Sequence, residues 1–235
     1  MNLFYPTNIQ GNIAIFDEEE ARHLSVLRKK VGDALTFTDG KGTLYHGIIS
    51  ALDKRNCTLS IENQEIEYKK SSYYLHIAIA PTKNIDRLEW FLEKATELGV
   101  SEITPILCQN SERDKIRLDR LEGVVLSAMK QSLQCYLPKL NPLTKFSDFI
   151  KTSTQTDAQR LIAYCNDEQL SHLSEAISPQ GNYIIAIGPE GDFSEKEVLL
   201  AKSVDFQGIS LGKNRLRTET AGVFAVSILA SKSFL

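Results

Sequence analysis

The sequence predicts an α/β protein in two parts, a small β-barrel over residues 1–70 and a domain of strands alternating with helices over residues 73–235. Three observations predict it. Short apolar or alternating runs, divided by turn residues at regular spacing, fill the first part. The composition then turns polar at EYKKSS, residues 67–72, which marks the boundary. Beyond it, the stretch 183–229 twice presents one unit, an apolar run stopped by glycine and followed by a helix.

In the first part, the runs 12–15, 34–38, 43–52 and 57–61 read as strands, with Gly32-Asp33, Asp39-Gly40 and Lys54-Arg55-Asn56 as turns. A helix over 18–30 interrupts them. Its Ala21, Leu24 and Leu27 share one face, while Arg22, Arg28, Lys29 and Lys30 crowd elsewhere. That basic edge suits either a solvated lid or a phosphate backbone, with His23 and Arg28 as polar contacts. The acidic run 17–20 reads as helix-start charge on a solvated surface. Phe4 and Tyr5 fit an ordered amino-terminal strand as well as a stack on a base.

In the second part, 74–80 is a strand closed by Pro81. Asn84 or Asp86 caps the next helix, whose Leu88, Phe91, Leu92, Ala95 and Leu98 recur at helical spacing and whose stop is Gly99. Trp90 on this helix is expected in a core or in a dimer interface. A strand at 103–107, a polar loop at 111–114, a long helix at 118–136 and a strand at 161–164 follow. Between the last two, the Ser- and Thr-rich segment 145–159 reads as a mobile surface segment. The apolar run 183–187 then stops at Gly188-Pro189-Glu190-Gly191, and Ser194 with Glu197 three residues on forms a capping box for another helix. The second unit is a short strand at 208–212, a charged stretch, and a final apolar helix at 221–230.

Composition narrows the function. The chain has 235 residues, 42% hydrophobic and 24% charged, which is ordinary for a globular protein and against disorder. A net charge of -3 argues against a generally basic nucleic-acid binder and leaves room for a local basic patch. No window of ~18 apolar residues occurs, and the amino terminus MNLFYPTN lacks a signal pattern, so a cytoplasmic protein without a membrane partner is expected. The four cysteines are scattered without metal-ligand or redox spacing, which predicts free buried thiols and no metal. His46, His76 and His172 are isolated and read as structural or solvated.

Two glycine loops at strand ends occupy the place where α/β sheets usually hold ligands. The first lacks both the P-loop and the dinucleotide fingerprints, and Glu190 would repel a phosphate beside it. A Glu there better suits a cationic or hydroxyl-bearing ligand. The second, LGKNRLRTETA, offers Gly212 for close backbone approach, Leu211 and Leu216 to flank a flat ring, and the polar group Arg217, Thr218, Glu219, Thr220. Together they describe a pocket for something planar.

The strings IGPEG and LG-x-x-x-LRTETA, with KATELGV at 94–100 and HL-x-VLR at 23–28, closely resemble the bacterial 16S ribosomal RNA uracil-N3 methyltransferases, the RsmE family of the SPOUT superfamily. The resemblance spans nearly the whole chain. It implies a PUA-like, RNA-binding barrel, a SPOUT-type α/β domain with a trefoil knot, a homodimer, S-adenosylmethionine as methyl donor, and a uridine of small-subunit RNA as acceptor. Residue by residue, it implies that Gly188, Pro189, Glu190 and Gly191 form one wall of the donor pocket. Leu211, Gly212, Leu216, Arg217, Thr218, Glu219, Thr220 and Ala221 then form the knotted other wall. Arg22, His23, Arg28, Lys83, Arg113 and Gln131 become the expected RNA contacts.

The chain also departs from that pattern. Asp192 stands where relatives often have a second glycine, and Lys130, Gln134 and Tyr136 replace an acidic residue and arginines, which bears on the RNA contacts of that helix. The chemistry makes its own demand, because uracil N3 carries a proton that must leave before the nitrogen attacks a methyl group. Glu219 as base, or Arg217 stabilising charge on a ring oxygen, would meet it, whereas a structural Glu219 would cap the last helix or pair with Arg217. Two rivals remain: a dinucleotide enzyme, disfavoured by the missing fingerprint, and an RNA-binding assembly factor without catalysis, disfavoured by the intact LRTETA string.

Overall fold

A computed structural model describes residues 2–165 and 170–233. The chain divides into two compact units, one formed by Met1–Lys70 with Leu126–Leu137 and the other by Ser71–Val125 with Pro138–Leu235.

The first unit contains β1 (Leu3–Phe4), β2 (Asn8–Gln10), β3 (Ile13–Phe16), α1 (Glu18–Val26), β4 (Ala34–Thr38), β5 (Leu44–Leu52) and β6 (Cys57–Glu65). They make a six-stranded sheet in the order β1-β4-β5-β6-β3-β2, antiparallel except where β1 runs alongside β4. Register shifts between His46 and Gly47 and between Ile49 and Ala51 bend β5, as bulges do. The core that results gathers Phe4, Phe16, Phe37, Ile49 and Leu59 from the strands and Ala21 and Leu24 from α1.

The predicted helix 18–30 is corrected here: α1 ends at Val26, Leu27 is largely exposed, and Arg28 has φ 57°, a left-handed turn that no helix continues through. Arg28 therefore leaves the helical edge that carries Arg22. The acidic run is corrected as well. Asp17 caps α1 by accepting the Glu20 N–H at 3.0 Å, but Glu20 is buried and accepts a hydrogen bond from Lys130 Nζ at 2.8 Å. Lys130 thus neutralises a buried carboxylate, which accounts for a basic residue at that position.

The second unit contains β7 (Tyr73–Ile79), α2 (Ile85–Glu97), β8 (Glu102–Leu107), most of α3 (Leu118–Gln131), β9 (Lys139–Leu140), β10 (Thr144–Lys145), α4 (Phe146–Ser153), β11 (Gln159–Ala163), α5 (Leu173–Ala176), β12 (Gly181–Ile187), α6 (Glu195–Lys202), β13 (Gln207–Ile209) and α7 (Thr218–Ser233). Its sheet runs β10-β8-β7-β12-β11-β13, with β9 beside β8, and every pairing is parallel. Parallel strands are covered on both faces, so β12 reads as an unbroken buried run from Tyr183 to Ile187. Asn84 caps α2, and the Ser194–Glu197 capping box is present at α6.

Two expectations change in this unit. The segment 145–159 is not loose: α4 buries Phe146, Phe149, Ile150 and Ser153, an i, i+3, i+4, i+7 stripe hidden in the sequence by its hydroxyl neighbours. The long helix ends at Gln131, because Leu133 takes φ 57°. Of the cysteines, Cys57, Cys108 and Cys135 are buried, but Cys165 is exposed. Trp90 lies outside the core with 43% of its surface exposed, while Phe91 beside it is fully buried. Phe91 meets α7 closely, since a Cβ on Gly222 would stand 2.6 Å from its ring.

Candidate functional site

β12 ends in the first glycine loop. Gly188 and Pro189 are buried, and a Cβ on Gly188 would lie 3.1 Å from the Phe193 ring, so a larger residue there would have to displace that ring. Two side chains hold the loop, Asn110, which no sequence pattern points to, and Glu190 of the loop itself. Asn110 Nδ2 donates to the carbonyls of Gly191 at 3.1 Å and Asp192 at 3.0 Å. Glu190 Oε1 accepts the Lys83 N–H at 3.0 Å, while its Oε2 is buried without a partner. Asp192 takes φ 62°, a conformation open to glycine and tolerated by Asp. Its carboxylate accepts the N–H groups of Phe193 at 2.7 Å and Cys165 at 2.8 Å, so the departure from glycine is compensated.

The second loop leaves β13 and reaches α7. Gly212 has φ 119° with open space around its Cα, and Leu211 and Leu216 are half-buried. The two loops are fastened to each other. The Thr218 hydroxyl, buried at the start of α7, donates to Gly188 O at 3.1 Å, and Arg215 donates to Glu190 O at 3.3 Å. Residues thirty apart in sequence are thereby tied together.

Glu219, in the first turn of α7, is buried at 7% exposure. Its ion-pair partner is Arg87, with Nε 3.8 Å from Oε1, and not Arg217, one of the two partners a structural role offered it; its Oε2 has no hydrogen-bond partner. Arg217, Glu219 and Thr220 line a pocket of about 330 Å3 together with Asp86, Arg87 and Trp90. Ala221 is buried in α7. Arg87, Asn110 and Arg215 were not legible in the sequence, because what marks them is contact with residues 25 to 132 positions away.

The expected RNA contacts fall in two groups. Arg22, His23, Arg28 and Gln131 are exposed in the first unit, where Arg22 pairs with Glu18 at 2.9 Å and His23 packs its ring on Phe4. Lys83 and Arg113 belong to the second unit. The Arg113 guanidinium donates to the carbonyls of Thr82 and Lys83, and the hydrogen bond from Lys83 to Glu112 raises the ammonium's pKa. Among the described residues no three His, Cys, Asp or Glu side chains converge to hold a metal, and no helix is long and apolar enough to cross a membrane.

Comparison with known proteins meets this geometry. Residues 69–230 match the RNA methyltransferase domain family, and residues 16–62 match the RNA methyltransferase PUA domain family. A solved structure described as a "probable rRNA-methyltransferase", from Porphyromonas gingivalis, is 38% identical, with a TM-score of 0.88 over 100% of this chain and 99% of its own. The ribosomal RNA small subunit methyltransferase E of Neisseria gonorrhoeae, solved bound to S-adenosyl methionine, is 28% identical, with a TM-score of 0.84 over 98% of this chain and 97% of its own. The protein of that name from Aquifex aeolicus is 28% identical over 97% of this chain and 99% of its own. With both families matched in the expected order, and the ribosomal RNA small subunit methyltransferase E of Mesomycoplasma hyopneumoniae 32% identical over 67% of this chain and 69% of its own, the chain belongs to the ribosomal RNA small subunit methyltransferase E family.

Proposed function

We propose that this protein transfers a methyl group from S-adenosylmethionine to N3 of a uridine in 16S ribosomal RNA of the small subunit. The observation that carries the proposal is the fastening of the two glycine loops by the Thr218 hydroxyl on Gly188 O. The residues present fit the donor. Gly212 leaves open backbone for an adenine, Leu211 and Leu216 flank it, and the unpartnered Glu190 Oε2 accepts from a ribose hydroxyl or faces a cation. When bound, S-adenosylmethionine supplies an electrophilic methyl group.

The chain's own residues supply the rest. The Glu219 carboxylate, at the wall of the pocket, takes the N3 proton, and Arg217 stabilises the charge that develops on a ring oxygen. The fastened loops hold the donor in line with the acceptor. Gly188, Pro189, Glu190, Gly191, Leu211, Gly212, Leu216, Thr218, Thr220 and Ala221 are assigned to the donor site, and Arg22, His23, Arg28, Lys83, Arg113 and Gln131 to RNA. A barrel over 1–70 completed by residues 126–137, a methyltransferase domain over the rest of 73–235, the homodimer, the trefoil knot and a cytoplasmic setting belong to the same proposal, supported by the resemblance of the motifs.

The test is calorimetry with S-adenosylmethionine beside NAD, followed by methyl transfer to small subunits lacking the modification and mapping of the methylated atom. Binding of the donor and a methyl on uracil N3 are expected. NAD binding, or donor binding without transfer, overturns the proposal in favour of a dinucleotide enzyme or a non-catalytic assembly factor.

A further inference from the structure

The polar loop between β8 and α3 braces the first glycine loop from two directions. Asn110 holds the carbonyls of Gly191 and Asp192. Three residues on, the half-buried Arg113 commits its guanidinium to backbone: Nε donates to Thr82 O at 3.0 Å and Nη2 to Lys83 O at 2.6 Å. Thr82 is itself fixed, 1% exposed and with its hydroxyl donating to Asn84 O at 2.7 Å.

One peptide unit of this turn stands between two charges. Thr82 O and the Lys83 N–H belong to the same planar group and point in opposite directions, as in any trans peptide. The Arg113 cation sits on the oxygen, and Glu190 Oε1 accepts the N–H at 3.0 Å. A cation at the carbonyl and a carboxylate at the N–H polarise the group in the same sense, so each hydrogen bond strengthens the other. Glu190 in turn offers its own carbonyl to Arg215 of the second loop at 3.3 Å. A guanidinium on the far side of the peptide thus bears on both glycine loops.

We infer that Arg113 is a positioning residue of the donor site, which sets Glu190 through the Thr82–Lys83 peptide; the inference rests on the methyltransferase reading above and adds to the RNA contact proposed for Arg113. The role requires a fork of donors and not charge alone. A lysine keeps the cation but lacks the planar pair of N–H groups that reaches two successive carbonyls. Contact with an RNA phosphate survives that exchange, because lysine serves a phosphate as a point charge.

The full-length protein is titrated calorimetrically with S-adenosylmethionine as wild type, Arg113→Lys, Glu190→Ala and the double variant, with urea midpoints taken alongside. Arg113→Lys should raise the donor Kd by about tenfold and leave KM for RNA as in the wild type. Glu190→Ala removes the group on which Arg113 acts, so adding Arg113→Lys to it should change the donor Kd by no more than about twofold. Effects that multiply in the double variant overturn the inference, since Arg113 then acts by another route. An unchanged donor Kd in Arg113→Lys overturns it too: with a raised KM for RNA it marks a residue that serves RNA only, and with a lowered urea midpoint one that serves folding only. Arg113→Gln, read in the same cycle, decides the matter if the lysine variant does not fold. The wild type's own donor binding and methyl transfer test the enzymatic reading separately, so the two failures are told apart.

Discussion

Glu219 is the side chain on which the proposed proton transfer rests. It is buried, paired on one oxygen at 3.8 Å by Arg87 and bare on the other. Glu219→Gln keeps the shape and removes the basicity, so methyl transfer should fall by about a hundredfold or more, with donor affinity unchanged in calorimetry. Equal turnover would reduce Glu219 to a structural role. Thr218 acts differently, because its hydroxyl ties the loops rather than touching the acceptor. Thr218→Val keeps the volume and leaves the buried Gly188 carbonyl unpaired, which costs about 1–3 kcal/mol. A matching rise in donor Kd is expected, with the kcat at saturating donor little altered.

At the level of elements, the parallel strands β7 and β8 carry a polar cluster on one face. His76 Nε2 lies 2.7 Å from the Thr104 hydroxyl, and Tyr74, Asn141 and Lys139 donate to Glu102. Burial, only partly opposed by Glu102 and reinforced by Lys139, holds the His76 imidazolium down to about 4 from an ordinary 6.5. Burial alone would raise Glu102, but the hydrogen bonds from Tyr74 and Asn141, the nearby His76 and the Lys139 ammonium outweigh it and hold the carboxyl at about 2. The signs agree. The unfolded chain takes up these protons first, so the His76 contribution is complete above 6.5 and is lost as pH falls from there toward 4. The Glu102 contribution is complete above 4.5 and is lost toward 2. Urea midpoints measured across this range should be flat above neutrality and then fall in two limbs, with the upper limb missing in His76→Gln.

The same elements show what a sequence can carry. The capping box of Ser194 and Glu197, the Asn84 cap and the glycine stop of β12 depend on neighbours a few residues apart, and all are readable by eye. Helix α4 was hidden because Ser and Thr at its solvent positions mask the Phe146, Phe149, Ile150 stripe. Glu20 looked like surface charge since its partner Lys130 stands 110 positions away. Arg87 escaped for the same reason, as a three-dimensional neighbour of Glu219 with no local mark. The two glycine loops were legible as motifs; their fastening was a matter of tertiary contact.

For the whole molecule, a net charge of -3 means that affinity for RNA has to come from a few placed cations. Arg28, exposed on its left-handed turn, is one of those proposed above. Arg28→Glu should weaken RNA binding and flatten its dependence on salt, removing about one phosphate contact from the slope. Donor affinity should stay the same, and a fall in it would refute the separation of the two roles.

The first unit is also not a contiguous length of chain. Residues Leu126–Leu137 belong to it, and Cys135 packs with Leu3 and Leu44 while its carbonyl accepts the Gly42 N–H at 2.8 Å. A fragment cut after Lys70 would therefore be a torn module, with an apolar seam and backbone donors opened to solvent. Anyone wishing to graft this module onto another protein would have to carry over two separated passages of sequence, and swapping the first alone between relatives should yield insoluble chimaeras.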